Sequence, residues 1–110
     1  MLHEIMKQVT DNMVNGISVA GVRGSAYNSL IKKPSDINEG FCGNWAEEVY
    51  SRAYNVGIEV HIMHDSDYCD IDYSHTFIYY DGMYYDSETL NGTDDWTLLP
   101  IYDRYPTILR

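Results

Sequence analysis

Basic residues are scarce in this 110-residue chain: seven Lys and Arg stand against seventeen Asp and Glu, a formal net charge of −10 at pH 7. A phosphate backbone meets net repulsion at such a surface, which argues against ordinary nucleic-acid binding. Long apolar runs are missing too, none exceeding four residues, and Met1-Leu2-His3-Glu4 opens amphipathic rather than apolar. Neither a membrane span nor a secretory signal is expected, so the predicted location is the cytoplasm, or a host's cytoplasm were the chain phage-encoded. Cysteine is limited to Cys42 and Cys69. In a reducing compartment these predict two separate thiols rather than a structural disulfide. Repeats, linkers and low-complexity tracts are absent. What is abundant is apolar surface: 45% of residues are hydrophobic and eleven are Tyr, enough for a packed core, and the length predicts one domain over residues 1–110.

Leu2, Ile5, Met6, Val9 and Met13 recur at spacings of three and four, which predicts an amphipathic helix over about 1–15 stopped by Gly16. Between Gly16 and Gly40 the glycines and Pro34 predict mostly loop, with one short helical turn within Ser25 to Lys33. Helical spacing returns over about 41–56, with Cys42, Trp45, Ala46, Val49, Ala53 and Val56 on one face and Glu47, Glu48 and Arg52 on the other, until Gly57 ends it. Ile58, Val60 and Ile62 alternate with Glu59 and His61 as a half-buried strand does. His64 to Tyr73 reads as a solvated acidic loop. The aromatic, β-branched run Ser74 to Tyr80, then Asp81-Gly82, then Met83 to Glu88 predicts a hairpin. Trp96 to Tyr102 is expected to add a last strand, kept at an edge by Pro100 and Pro106. The fold class is α+β: a helix carrying Cys42 packed on an antiparallel sheet of three or four strands over about 58–102.

Cys42 stands at the start of its helix, where unpaired N–H groups and the helix dipole favour a thiolate, the form that acts as a nucleophile. Its own N–H is a candidate oxyanion donor, and Gly40 and Gly43 beside it permit close backbone approach. A cysteine–histidine site needs an imidazole held by a third group, and the hairpin offers one. A two-residue turn at Asp81-Gly82 pairs Tyr80 with Met83, Phe77 with Asp86 and His75 with Glu88. His75, Phe77, Asp86 and Glu88 then share one face, with Glu88 directly across from His75 and Asp86 on the diagonal. Geometry leaves both carboxylates as candidates to orient His75.

The segments Gly40-Phe-Cys42-Gly-Asn-Trp-Ala46, Gly57-Ile58, Ser74-His75-Thr-Phe-Ile, Asp81-Gly82 and Tyr85-Asp86-Ser87 together resemble the core of the transglutaminase-like, papain-like cysteine protease superfamily. The resemblance spans roughly residues 40–88. It implies a papain-like core and a triad of Cys42, His75 and Asp86, and it favours Asp86 over Glu88. Ser87 stands where the family usually has Pro. The Gln that papain-like relatives often place before the cysteine is missing, the only Gln being Gln8, which leaves Asn38 or Trp45 as secondary oxyanion candidates.

Other constellations weigh less. His61, His64, Cys69 and His75 have no common zinc spacing, and Asp65, Asp67, Asp70 and Asp72 lack the Gly and terminal Glu of a calcium loop; no metal and no cofactor is expected. Cys69, among acids, is expected to be a poor nucleophile. The Tyr-rich stretch Tyr79 to Tyr85 has the composition of a recognition surface, but alternation puts about half of its rings on the buried face, and core is the expected place for most of them. The leading expectation is a thiol-dependent acyl-transfer enzyme, a hydrolase of amide, isopeptide or ester bonds, with transamidation if an amine accepts the acyl group. A short chain suggests an open groove, hence a peptide or protein substrate. The alternative is a non-catalytic acidic binding protein for a basic partner, of the DNA-mimicking kind that phage-encoded anti-defence inhibitors use. Such a protein has no need of a thiol at a helix start facing a His–Asp pair.

Overall fold

The computed structural model describes residues 1–17 and 30–109. Along them run α1 (Leu2–Val14), α2 (Pro34–Ile37), α3 (Cys42–Asn55), β1 (His61–His64), β2 (Thr76–Tyr80), β3 (Met83–Tyr85) and α4 (Ile101–Arg104), with 3-10 turns at Asp65–Asp67, Trp96–Leu98 and Pro106–Leu109. The chain is an α+β fold whose three strands form an antiparallel sheet in the order β1-β2-β3.

The sheet's alternation decides what lies on each side. Ile78, Ile62, Tyr80 and Tyr85 face the larger core with α1 and α3, where Met6, Val9, Trp45, Ala46 and Val49 are buried. Phe77, Met63 and Tyr84 face the opposite way, onto Leu99, Ile101 and Tyr102 of the C-terminal segment. The aromatic hairpin is thus covered on both sides: Tyr79, Tyr80, Tyr84 and Tyr85 are all half-buried rather than divided into core and surface. The α1 and α3 stripes interlock through a polar contact as well, because the Trp45 indole N–H donates to Thr10 Oγ1 at 2.8 Å inside the core. Thr10 in turn donates to Met6 O at 2.8 Å, so no polar atom of that contact is left unmatched.

The hairpin register is the one its turn predicts. Tyr80 pairs with Met83, Tyr79 with Tyr84 and Ile78 with Tyr85, and Asp81 and Gly82 both take positive φ, 49° and 81°, the geometry of a primed two-residue turn. Pairing stops at Tyr85. The expected Phe77–Asp86 and His75–Glu88 pairs do not form, because the chain turns away at Asp86, where Thr89 N donates to Asp86 O at 3.0 Å. At the end of α3, Gly57 N donates to Tyr54 O at 3.0 Å and Ile58 N to Ala53 O at 2.8 Å, a Schellman closure.

That closure corrects two expectations. Val56, predicted on the apolar stripe, lies outside the helix and is 53% exposed. Ile58 is spent on ending the helix, so β1 begins at His61 and extends to His64. Three further expectations change. Pro34, expected in loop, opens α2, where its missing N–H costs nothing. The predicted turn within Ser25 to Lys33 lies mostly outside the described residues, and residues 30–33 are not helical. Trp96 to Tyr102 is not a strand: Asp95 Oδ1 accepts from Thr97 N at 3.0 Å and from Thr97 Oγ1 at 2.6 Å, which winds a turn, and Pro100 caps α4. Capping chemistry outweighs the apolar pattern there, and the sheet stays at three strands.

Candidate active site

Gly40 leads into α3 with φ at 127°, a left-handed conformation that favours glycine, and Phe41 caps the helix without a side-chain hydrogen bond. Cys42 is its first residue. Helix geometry leaves the first-turn N–H groups without intrahelical partners, so the thiol sits at the positive end of a fourteen-residue helix. Cys42 is 8% exposed, and both cysteines are free thiols.

His75 immediately precedes β2 and is fully buried, as is Asp86. His75 Nε2 and Asp86 Oδ2 are 3.0 Å apart. The second oxygen, Oδ1, accepts the backbone N–H of Glu88 at 3.0 Å, so both carboxylate oxygens are engaged. With Nε2 committed to Asp86, the ring's other nitrogen, Nδ1, is buried and has no aligned hydrogen bond.

The thiol and the imidazole nevertheless act on each other. Burial pushes the Cys42 thiol up, but the hydrogen-bonding influence and positive charge of His75, together with the Thr76 N–H and hydroxyl, bring it below its ordinary value. Burial pushes His75 down, and the Asp86 carboxylate and the Cys42 thiol reverse this, raising it to about 9. Both displacements favour a thiolate–imidazolium pair.

The structure therefore pairs His75 with Asp86, with the Cys42 thiol within electrostatic reach of that imidazole. Glu88, the other carboxylate left open by the hairpin geometry, does not face His75 across a ladder; it binds Arg104 in a two-pronged contact at 2.8 and 2.9 Å and accepts from Asn38 Nδ2 at 2.8 Å. Arg104 and Asn38 hold the Glu88 carboxyl below its usual range against the opposing effect of burial. Of the secondary oxyanion candidates, the Trp45 indole N–H is spent on Thr10, while Asn38 gives one N–H of its amide to Glu88 and its Oδ1 is buried without a partner. The Cys42 N–H is the other candidate donor.

A further correction concerns the surroundings. Asp65 is not part of a solvated loop: it is fully buried and accepts from Ser74 N at 3.0 Å and Tyr102 Oη at 3.1 Å. Three surface cavities of about 580, 490 and 480 Å³ are lined by residues other than Cys42. Comparison with protein families, curated proteins and solved structures finds no match to this chain.

Sequence reasoning missed Thr76, Tyr102 and Arg104. Thr76 was within reach: it follows His75 in the predicted hairpin strand, and its hydroxyl is hydrogen-bonded to the Tyr73 hydroxyl. Tyr102 meets the edge of the His75 ring with centroids 6.0 Å apart. No local pattern announces it or Arg104, since both arrive from the C-terminal segment.

Proposed function

We propose that this chain is a cysteine-dependent acyl-transfer enzyme, a hydrolase of amide, isopeptide or ester bonds, built on a transglutaminase-like, papain-like core. The observation that carries this reading is a buried imidazole held at Nε2 by a buried carboxylate, with Nδ1 left for a helix-start thiol. A purely structural histidine at full burial gains most by satisfying both nitrogens; this one satisfies one.

In the proposed reaction the Cys42 thiolate attacks the acyl carbon and the carbonyl π pair moves onto oxygen, where the Cys42 N–H receives it. As the tetrahedral centre collapses, its C–N or C–O bond breaks and the His75 imidazolium gives its proton to the departing nitrogen or oxygen. A thioester on Cys42 remains. His75, now neutral, takes a proton from water as the water oxygen attacks the thioester, and collapse releases the acid and the thiolate beside the imidazolium. An amine in place of water yields the transamidated product by the same steps. Asp86 fixes the ring's tautomer and stays ionised throughout. The substrate class favoured is a peptide or protein presenting an extended acyl segment to the α3 entry.

The test is the pH dependence of Cys42 alkylation by iodoacetamide, with the modified residue located by mass spectrometry in wild type, His75→Ala and Asp86→Asn. Reaction well below pH 8 that disappears in His75→Ala is the expected result. A Cys42 no more reactive than Cys69 at any pH sinks the enzyme reading and leaves the acidic binding protein. Because Cys42 is almost covered, a small reagent is required, and the plateau rate reports site opening while the midpoint reports the thiolate.

A further inference from the structure

Three distant parts of the chain meet at one guanidinium. Arg104, at the end of α4, grips both oxygens of Glu88 through its two terminal nitrogens and also donates from Nε to Glu39 Oε1 at 3.3 Å. Its neighbour Tyr105 donates to Glu39 Oε2 at 2.9 Å. Glu39 lies three residues ahead of Cys42, and Asn38 beside it donates to the same Glu88 at 2.8 Å. Glu88 follows Asp86 by two residues, and its N–H holds Asp86 Oδ1.

These contacts form a closed frame. On one side stands the approach to Cys42, on the other the loop that supplies the carboxylate for His75, and α4 ties the two. The loop has no ladder to hold it, because pairing ends at Tyr85; its only other tether to the approach segment in the contacts described is Ser87 Oγ donating to Pro34 O at 2.7 Å.

We propose that Arg104 is a positioning residue for the cysteine–histidine pair, clamping Glu39 and Glu88 so that Cys42 is held in line with the imidazole that Asp86 orients. The proposal rests on the acyl-transfer reading of Cys42, His75 and Asp86. The planar fork matters as well as the charge: a guanidinium meets one carboxylate with two parallel bonds and has a third donor for the other, whereas an ammonium offers a single point. Partly exposed ion pairs add little to folding, so the effect of losing Arg104 falls on site geometry more than on the fold.

The experiment measures Cys42 alkylation by iodoacetamide from pH 5 to 10 in wild type, Arg104→Ala, Arg104→Lys and Glu88→Gln, with circular dichroism and thermal unfolding as the fold control. In Arg104→Ala the rate at pH 6 is expected to fall about tenfold and the midpoint to move toward that of an ordinary thiol, with Arg104→Lys recovering only part of the loss. If Arg104→Ala does not fold, Glu88→Gln, which keeps the shape and removes the charge, carries the test with a severalfold loss expected. A folded Arg104→Ala or Glu88→Gln whose profile superimposes on wild type, or rises at pH 6, overturns the positioning role and leaves the acyl-transfer reading standing. A wild-type Cys42 without low-pH reactivity overturns both.

Discussion

Two carboxylates flank His75 in sequence, Asp65 ten residues before and Asp86 eleven after, and both are fully buried. Their surroundings make them different groups. Asp65 is satisfied by neutral donors, the Ser74 N–H and the Tyr102 hydroxyl; Asp86 shares itself between the Glu88 N–H and a titratable ring. The first pins the loop 65–74 and the C-terminal segment onto the sheet. The second sets the charge of His75. Burial alone therefore does not separate the two carboxylates; the identity of the partner does.

The largest expected effect tests that division. Asp86→Asn keeps the side chain's shape and removes the charge that stabilises the imidazolium, so Cys42 alkylation at pH 6 is expected to drop about a hundredfold or more, measured by mass spectrometry against Cys69 in the same sample. Asp65→Asn is expected to leave that rate within about twofold while lowering stability by about 1–3 kcal/mol, the range for an imperfectly matched buried polar group, read from urea unfolding. An Asp65→Asn variant that loses reactivity as Asp86→Asn does would erase the distinction.

Stability against pH sharpens the comparison. His75 is raised from 6.5 to about 9, so the folded state binds this proton more tightly than the unfolded chain. Its contribution is fully present below about pH 6.5 and is lost as pH rises through about 9. The Cys42 thiol, held below its ordinary value, gives up its proton earlier in the folded state and offsets that slope, so wild type and Asp65→Asn are expected to stay nearly flat across that window, whereas Cys42→Ala, which keeps His75 on Asp86, is expected to lose stability there. Urea midpoints at pH 6, 7.5 and 9 decide it.

The smallest effect concerns Tyr102. Burial and the Asp65 carboxylate push its hydroxyl well up, which keeps it a proton donor at every working pH. Tyr102→Phe removes the hydroxyl and keeps the ring beside His75, so a loss of about 1 kcal/mol is expected with the alkylation profile unchanged. A shifted midpoint would instead join Asp65 to the site through Tyr102.

Much of this was legible along the chain. The helix stripes, the Asp81-Gly82 turn and the thiol at a helix start follow from local steric and capping rules that act over four or five residues, and the resemblance over residues 40–88 favoured Asp86 over Glu88 before any coordinates. Legibility failed where one segment's local preference met a distant partner. Trp96 to Tyr102 has strand-like composition yet winds into turns, because Asp95 and Pro100 cap them and Leu99, Ile101 and Tyr102 find Phe77. Asp65 sits among acids that read as a solvated loop, yet a serine amide and a distant tyrosine bury it.

The sequence by itself determined the two long helices α1 and α3 and the hairpin register as far as Tyr85, since each depends on backbone geometry or on groups close in the chain. Only the tertiary structure decided that Glu88 serves Arg104 rather than His75, that the Trp45 indole N–H goes to Thr10 and one Asn38 N–H to Glu88, and that Arg104 joins the approach to Cys42 with the loop of Asp86. A side chain's hydrogen bonds go to whichever partners packing brings within about 3 Å, and here those partners lie up to 66 residues away.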